Sequence, residues 1–183
     1  MAVFESYIKA PNAALNDRFG RSVAVFGDRL AIGAYSEDSA TTSIVMNEAN
    51  VPVDDGSARS GAVYTYLFNE ATGSVAFESY IKAPNTGSGD FFGQSVALYG
   101  NRIVIGAIAE GSDSNSIVMS ASSVPSDNAA PKSGAVYTYL VDSSTGNVEF
   151  ESYIKAPNAF LQDEFGWRVA ASGDRIVVGA YKQ

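Results

Sequence analysis

Hydrophobic and polar residues alternate along a seven-residue block, FESYIKA, which begins at Phe4, Phe77 and Phe150. In an extended chain, Phe, Ser and Ile of the block point to one side and Glu, Tyr and Lys to the other, which is typical of a half-exposed β-strand. The charged side chains are expected to point outward, so that the lysines discourage another strand from pairing with this edge. These lysines are Lys9, Lys82 and Lys155.

Two almost continuous apolar segments follow each block, SVAVF and RLAIGAY in the first copy. Between them lies the pair Gly27-Asp28, with Gly100-Asn101 and Gly173-Asp174 in the later copies. Such a pair between apolar segments indicates a tight β-hairpin, and strands this apolar are expected to be buried on both faces. The segment GAVYTYL predicts a fourth strand, and FNEATGSV predicts a turn back into the next block.

The repeat has a constant length, because 77 − 4 and 150 − 77 both equal 73. Repeat 1 spans 4–76 and repeat 2 spans 77–149; they align without a gap and share 40 of 73 residues, while a partial repeat 3 spans 150–183. A four-stranded unit repeated radially, apolar inside and polar outside, is a β-propeller blade. We therefore predict an all-β fold in which a single domain over 1–183 holds about two and a half four-stranded blades, an incomplete propeller.

A long polar segment separates the second and third apolar strands of each repeat, covering about 36–60 in repeat 1. It is expected to be solvated, and long loops on a rigid scaffold often carry function. The tetrapeptide SIVM nevertheless recurs inside it, at 43–46 and 116–119. Variable binding loops would not need that repetition, so we expect SIVM to pack on the blade as an extra short strand.

The phrase DRFGRSVAV followed by RLAIGAY resembles the FG-GAP repeat, the blade unit of integrin-type β-propellers. The GAVYTYL segments resemble the GAVYVF strand that is common in bacterial FG-GAP proteins. The residues that carry the motif are Phe19, Gly20, Gly33, Phe92, Gly93, Gly106, Phe165, Gly166 and Gly179. The chain departs from the family where a proline follows Gly-Ala, because these positions are Tyr35, Ile108 and Tyr181.

The resemblance implies a non-catalytic binding or structural module of a larger surface or secreted protein, which mediates adhesion or protein–protein interaction. The alternatives are a carbohydrate-binding, lectin-like propeller and part of a propeller-bearing hydrolase. The chain has no His and no Cys, so the commonest general base and the thiol nucleophile are both missing, and we expect no enzyme activity. The family implies an extracellular or cell-surface location, although MAVFESYIKAPN does not read as a signal peptide.

Many relatives bind calcium through a DxDxDG-like loop between the FG and GAP strands, but here that connection is a two-residue turn. Calcium takes six to eight oxygen ligands, which so short a turn cannot supply. No cofactor is therefore required, and calcium binding is possible only through other carboxylates. The candidates lie in the polar segments: Glu37, Asp38, Asp54, Asp55, Glu110 and Asp113.

Three aspartates stand two residues before the FG phenylalanine: Asp17, Asp90 and Asp163. We expect them to cap turns by accepting backbone N–H groups rather than to bind a metal or ligand. The candidate ligand-binding aromatic residues are Trp167, Tyr35 and Tyr181. Trp167 replaces Arg21 and Gln94 of the other repeats, so we expect it to be exposed, either to stack on a sugar or to cover an open blade face.

The net charge of −8, from 12 basic and 20 acidic residues, disfavours nucleic acids and anionic membrane surfaces as partners. No apolar run has the length of a transmembrane helix, so no membrane insertion is expected. A protein or glycan ligand is expected to contact the polar segments together with the links at 13–16 and 86–89.

The predicted strands count to eleven and cannot close a propeller ring within one chain. Open apolar faces normally associate, so we expect self-association through the incomplete terminal blades, with the outer strand of one chain completing the third repeat of the next. A longer propeller, of which this chain is a fragment, and an open filament are the alternatives.

Overall fold

The computed structural model describes residues 6–182, which form eleven β-strands and two single-turn 3-10 helices, Glu48–Asn50 and Ala121–Ser123. The strands are β1 (Phe19–Phe26), β2 (Arg29–Ala34), β3 (Ala62–Asn69), β4 (Ser74–Ile81), β5 (Phe92–Tyr99), β6 (Arg102–Ala107), β7 (Ile117–Val118), β8 (Ala135–Val141), β9 (Val148–Ile154), β10 (Phe165–Ser172) and β11 (Arg175–Ala180). The predicted all-β fold is confirmed. In the described part of the chain, no helix has the length and hydrophobicity needed to cross a bilayer.

The strands form three antiparallel sheets, which we call the first, second and third blades. Their strand orders are β1-β2-β3-β4, β5-β6-β8-β9-β7 and β10-β11. The predicted hairpins are present, since Phe26 pairs with Arg29 across the turn Gly27-Asp28, with equivalent pairs in the other two blades. Each FESYI segment after the first ends the blade that the preceding apolar hairpin began, as the repeat pattern predicts.

The SIVM segments lie against the outer strands, also as predicted. In the second blade Ile117 and Val118 form β7, which pairs with Ile154 and Tyr153 of β9. In the first blade the same segment makes a single bridge, from Val45 to Tyr80. The polar segment of each complete blade thus pairs with the last residues of that blade's outer strand.

The prediction that the block lysines point outward is wrong for the second and third copies. Lys82 is 1 % exposed and Lys155 is 2 % exposed. The alternation places them outside only while the strand continues, but β4 ends at Ile81 and β9 at Ile154. Each lysine is therefore the first residue of the link, the connection to the FG strand of the next blade. The backbone turns there, and the lysine side chain is buried at the end of the blade.

The first copy of the block does not form the predicted strand over the part that is described, while Phe4 and Glu5 lie outside the described residues. Residues 6–10 have no neighbouring strands of their own blade to pair with, and the Lys9 side chain is exposed. They nevertheless pack on the first blade: the Tyr66 hydroxyl donates to the Lys9 carbonyl at 3.0 Å, as Tyr139 donates to the Lys82 carbonyl at 2.9 Å.

The motif glycines allow adjacent blades to approach closely. A Cβ on Gly33 of β2 would overlap the Gly93 carbonyl oxygen of the next blade, and a Cβ on Gly106 would overlap that of Gly166. Gly93 and Gly166 also have positive φ angles of 84° and 92°, a conformation that favours glycine. The motif phenylalanine packs beside this contact, with the Phe92 ring 5.3 Å from that of Tyr137.

The expectation that the hairpin strands are buried on both faces holds only for the second blade, where β5 and β6 lie between the other two blades. It is wrong for the first and third blades. Val23 of β1 is 68 % exposed, and Val177 of β11 is also 68 % exposed. The reason is that only one face of each of these blades has a neighbouring blade in the described chain.

Candidate functional site

The antiparallel strand order brings the start of β1, the end of β2, the start of β3 and the end of β4 to the same end of the first blade. The links and the polar segments therefore meet at this end, which we call the loop end. The second blade repeats the arrangement. The short turns of the β1–β2 and β3–β4 hairpins lie at the opposite end.

A buried ion pair lies at the loop end of the first blade. Lys82 Nζ donates to Glu37 Oε2 at 2.9 Å and to Ser60 Oγ at 2.6 Å. Asn12 donates to the other Glu37 oxygen at 3.1 Å and accepts from the Tyr64 hydroxyl at 2.6 Å. Burial lowers the pKa of Lys82, and the attraction of Glu37 opposes that shift. The network joins all the segments that meet at the loop end.

The second blade contains the same network. Lys155 Nζ lies 2.9 Å from Glu110 Oε2 and 2.6 Å from Ser133 Oγ, and the Tyr153 hydroxyl donates to Glu110 at 2.9 Å. Two of the candidate calcium ligands, Glu37 and Glu110, are thus buried against lysines. The expectation that they lie in solvated loops is wrong, because the chain folds back over them after β2 and β6.

Two of the remaining acidic candidates accept backbone N–H groups of the first polar segment, and the other two are exposed. Asp54 accepts N–H groups of Ala40 and Gly56 at 2.9 and 3.1 Å, and these hydrogen bonds lower its pKa. Asp38 accepts the Arg59 N–H at 2.6 Å, and Asp55 and Asp113 are exposed. Across 6–182, no group of three or more Asp, Glu, His or Cys side chains is arranged to hold a metal ion. Calcium binding stays a hypothesis.

The three aspartates before the FG motif each accept one backbone N–H, which is the geometry of a turn cap. Asp17 accepts from Ala14 at 2.8 Å, Asp90 accepts from Gly87 at 2.9 Å, and Asp163 does the same in the third repeat at 2.7 Å. Burial raises the pKa of Asp90 to about 7, and repulsion from Glu110 adds to the shift. Asp90 is therefore a carboxyl group that titrates near neutral pH.

We expect Asp90→Asn to stabilise the protein at pH 8, by up to about 4 kcal/mol. The folded state holds the Asp90 proton more tightly than the unfolded state, whose pKa is near the ordinary value of 3.8. Stability from this site is therefore lost as the pH rises from about 4 to 7. Asparagine keeps an acceptor for Gly87 and does not ionise. Urea unfolding between pH 4 and 8 measures the difference, which should disappear below about pH 4.

The matched control for this titration is Asp142→Asn, at an exposed aspartate. Hydrogen bonds from Ser144 and Thr145 lower the pKa of Asp142, so its contribution to stability is present at neutral pH and is lost as the pH falls through the folded-state pKa. This variant should therefore be less stable than the parent at pH 7, the opposite direction. Parallel pH profiles for Asp90→Asn and the parent would contradict the assignment.

A groove of about 410 Å³ lies at the loop end between the first and second blades. Its lining residues come from both links and from both ends of the first polar segment: Asn16, Arg18, Tyr35, Ser36, Arg59 and Phe91. The Tyr35 and Phe91 rings meet edge to face at 5.5 Å, and the Arg21 guanidinium lies 5.9 Å from the Tyr35 ring centre. Among the described residues, the guanidinium groups of Arg18 and Arg59 make no hydrogen bond or ion pair.

The next junction does not repeat this chemistry. The positions that are 73 residues later are Gly89, Phe91, Ile108, Ala109, Lys132 and Glu164. Glu164 is moreover paired with Lys182 at 2.6 Å. The groove is therefore specific to the first junction. The predicted contact surface contains Asn16, Ser36 and Arg59, and Tyr35 was a separate candidate, but Arg18 and Phe91 lie outside it. The replacement of Arg18 by Phe91 in the next repeat was the available signal.

The three candidate aromatic residues do not come together. Trp167 is half-buried rather than exposed, because it stacks on Tyr181 with ring centres 4.7 Å apart. The Arg168 guanidinium lies 5.7 Å from the centre of the Trp167 ring. Tyr35 lies instead in the groove at the other junction. Of the two stacked rings, Tyr181 is the more exposed and offers a surface to a sugar at the third blade.

Comparison with known proteins agrees with the repeated architecture. A family model described as the FG-GAP repeat matches residues 3–45, 76–139 and 149–183. The three matches begin 73 residues apart, and each contains the FG pair and the Gly-Ala pair of one blade. A search of curated proteins finds no match to the chain.

Proposed function

Because this chain belongs to the FG-GAP repeat family, we propose that it is a non-catalytic module of a surface or secreted protein that binds another protein in adhesion or a related contact. The observation that carries the proposal is the groove between the first and second blades. It combines two guanidinium groups, which have no partner among residues 6–182, with an aromatic wall on a chain of net charge −8.

The groove is held rigidly by the buried network beneath it. Ser36 precedes Glu37 and Arg59 precedes Ser60, so two of its lining residues are neighbours of groups that bind Lys82. The Ser36 N–H also donates to the Asp17 carbonyl at 3.2 Å, and the Phe91 N–H donates to the Arg59 carbonyl at 3.1 Å. A preorganised surface loses less conformational entropy on binding. This rigidity is what a blade scaffold contributes to recognition.

The lining favours a carboxylate of the partner next to an aromatic or aliphatic side chain. A guanidinium group binds carboxylates through two parallel hydrogen bonds, and Arg and Tyr are enriched among residues that dominate interface energies. The net charge of −8 repels a highly acidic partner at long range. We therefore propose a local acidic contact rather than a polyanionic ligand.

The test is selection from a displayed peptide library, followed by affinity measurements with synthetic peptides and their Asp→Asn and Glu→Gln versions. We expect peptides with an acidic residue beside an apolar one to be enriched. Arg18→Ala with Arg59→Ala should weaken their binding at least tenfold, because both guanidinium groups are lost. The matched control is Arg175→Ala, an exposed arginine on the third blade, which should leave binding unchanged.

Two outcomes would contradict the proposal: binding that survives the double replacement, or binding that is equal for acidic and amidated peptides. The second candidate function is carbohydrate binding, which the exposed Tyr181 ring stacked on Trp167 favours. A glycan array supports it if Trp167→Ala, and not the double arginine variant, removes a specific signal.

A further inference from the structure

Successive blades contact each other through two different surfaces, and the same two surfaces meet at both junctions. At the first junction, the leading blade provides Gly33 and Ser22, and the following blade provides the Gly93 carbonyl. The Ser22 hydroxyl donates to that carbonyl at 2.7 Å, and the absence of a side chain on Gly33 lets it approach. The apolar part is formed by Val96 of the following blade, which lies in one cluster with Ala31 of the leading blade.

The second junction is formed by the equivalent two surfaces. The Ser95 hydroxyl donates to the Gly166 carbonyl at 2.7 Å, and the absence of a side chain on Gly106 gives that carbonyl its space. Val169 of the third blade packs against the cluster that contains Ala97 and Val104 of the second blade. Two junctions with the same geometry therefore define what each blade face recognises.

Each of the two terminal blades has one such surface with no neighbouring blade in the described chain. On the first blade, Gly20 and Val23 occupy the positions of Gly93 and Val96, and Val23 is largely exposed. On the third blade, Gly179 and Val177 occupy the positions of Gly33 and Ala31, and Val177 is equally exposed. The nearest described atoms to a Cβ on Gly179 would be Arg168 O at 3.8 Å and Arg168 Cβ at 4.0 Å, so the space beside it is open.

We propose that the first blade of one chain packs on the third blade of a second copy of this chain. The Gly20 carbonyl then lies against Gly179, and Val23 covers Val177. A second copy fits both free faces because their equivalents already pack on each other within the chain, Gly93 and Val96 against Gly33 and Ala31. The described part of each chain supplies two complete blades and the two-stranded third blade. Two copies joined at both ends therefore make a ring of six sheets, and this number lies within the usual range of propellers.

The internal junctions also contain backbone hydrogen bonds from Phe92 to the Ser60 carbonyl and from Phe165 to the Ser133 carbonyl, both at 3.0 Å, which the two-stranded third blade does not supply to the copy–copy junction. Within the part that β10 and β11 supply, the copy–copy junction differs at one hydrogen-bond donor. Arg168 stands where Ser22 and Ser95 stand in the other blades. Its guanidinium donates to the Trp167 carbonyl at 2.9 Å and is exposed. In the proposed dimer this longer, charged donor takes over the role of the serine hydroxyl toward the Gly20 carbonyl.

The experiment is sedimentation velocity of the 183-residue chain over a wide concentration range. We expect a dimer of twice 19.2 kDa. Gly179→Ala should raise the dimer dissociation constant at least 100-fold, because in the geometry of the internal junctions its methyl group overlaps the incoming carbonyl. Among residues 6–182 the same substitution meets only ordinary contacts, so circular dichroism should show an unchanged fold.

A second variant keeps the proposal falsifiable if the first has an unforeseen effect on folding. Val177→Glu places a charge in the proposed apolar contact and should also give monomers. Val53→Glu, at an exposed valine of the polar segment, is the matched control and should remain dimeric. A wild-type chain that stays monomeric, or association that survives both Gly179→Ala and Val177→Glu, overturns the proposal; polymers longer than a dimer overturn the closed ring.

Discussion

Replacing Glu110 by glutamine is expected to lower the free energy of unfolding by about 3–5 kcal/mol, because it leaves the Lys155 ammonium buried without a counter-charge. The Lys155 side chain is fully buried and lies 2.9 Å from Glu110. Glu110 also accepts from Tyr153, so the change weakens more than one hydrogen bond. Urea unfolding monitored by tyrosine fluorescence and circular dichroism gives the midpoint and the slope from which the difference follows.

The matched control makes the same chemical change at a more accessible ion pair in the same blade. Glu151 binds Arg102 at 2.7 Å, but both side chains are partly exposed, so Glu151→Gln should cost no more than about 1 kcal/mol. Adding Lys155→Met to Glu110→Gln removes the uncompensated charge and should recover part of the loss. Equal costs for the two glutamine variants would show that water reaches the Glu110 pair.

The fold was predictable because its signals are local and repeated. The pair Gly27-Asp28 between two apolar segments specifies a tight hairpin wherever it occurs. The recurrence of SIVM indicated a structural role, and the pairing of Ile117 and Val118 with β9 explains it. These features depend on neighbouring residues and on the period of the repeat, both of which are visible in a single sequence.

The buried lysines were not predictable from the same alternation. A period of two assigns faces only within a strand. Pro84 indicates that the strand ends nearby, but it does not show that β4 stops at Ile81, one residue before Lys82. The partner of that lysine, Glu37, lies 45 residues away in sequence. The equivalent residues of the second blade are Lys155 and Glu110. The presence of a lysine and a glutamate at the same two positions of both repeats was the sequence signal for this ion pair.

Asn16, Ser36 and Arg59 lie within the predicted contact surface, but the groove as one site with two arginines was not predicted, for a different physical reason. It forms between two blades, so its lining depends on how the sheets pack and not on the pattern of either one. Arg18 and Arg59 are far apart in sequence and meet because the link and the polar segment end at the same junction. A motif search that looks for conserved repeat positions passes over them, since the equivalent residues Phe91 and Lys132 differ.

Gly106→Ala is expected to destabilise the protein by about 3 kcal/mol, at the upper end of typical overpacking costs. The added methyl group would overlap the Gly166 carbonyl and the Ser95 hydroxyl. The serine can rotate, but the carbonyl belongs to the backbone of β10 and can move only if the third blade moves with it. The hydrogen bond from Ser95 to Gly166 would then also lengthen. Chemical unfolding at low protein concentration measures the loss.

The best control for this prediction is Gly179→Ala, the same substitution at the equivalent position of the third blade. No neighbouring blade of the described chain reaches Gly179, and an added methyl group meets only Arg168 at ordinary contact distance. In monomers, Gly179→Ala should therefore unfold at the same urea concentration as the parent or slightly higher, because alanine restricts the unfolded chain. If Gly106→Ala were equally harmless, the close blade contact would not be what requires glycine in the Gly-Ala half of the motif.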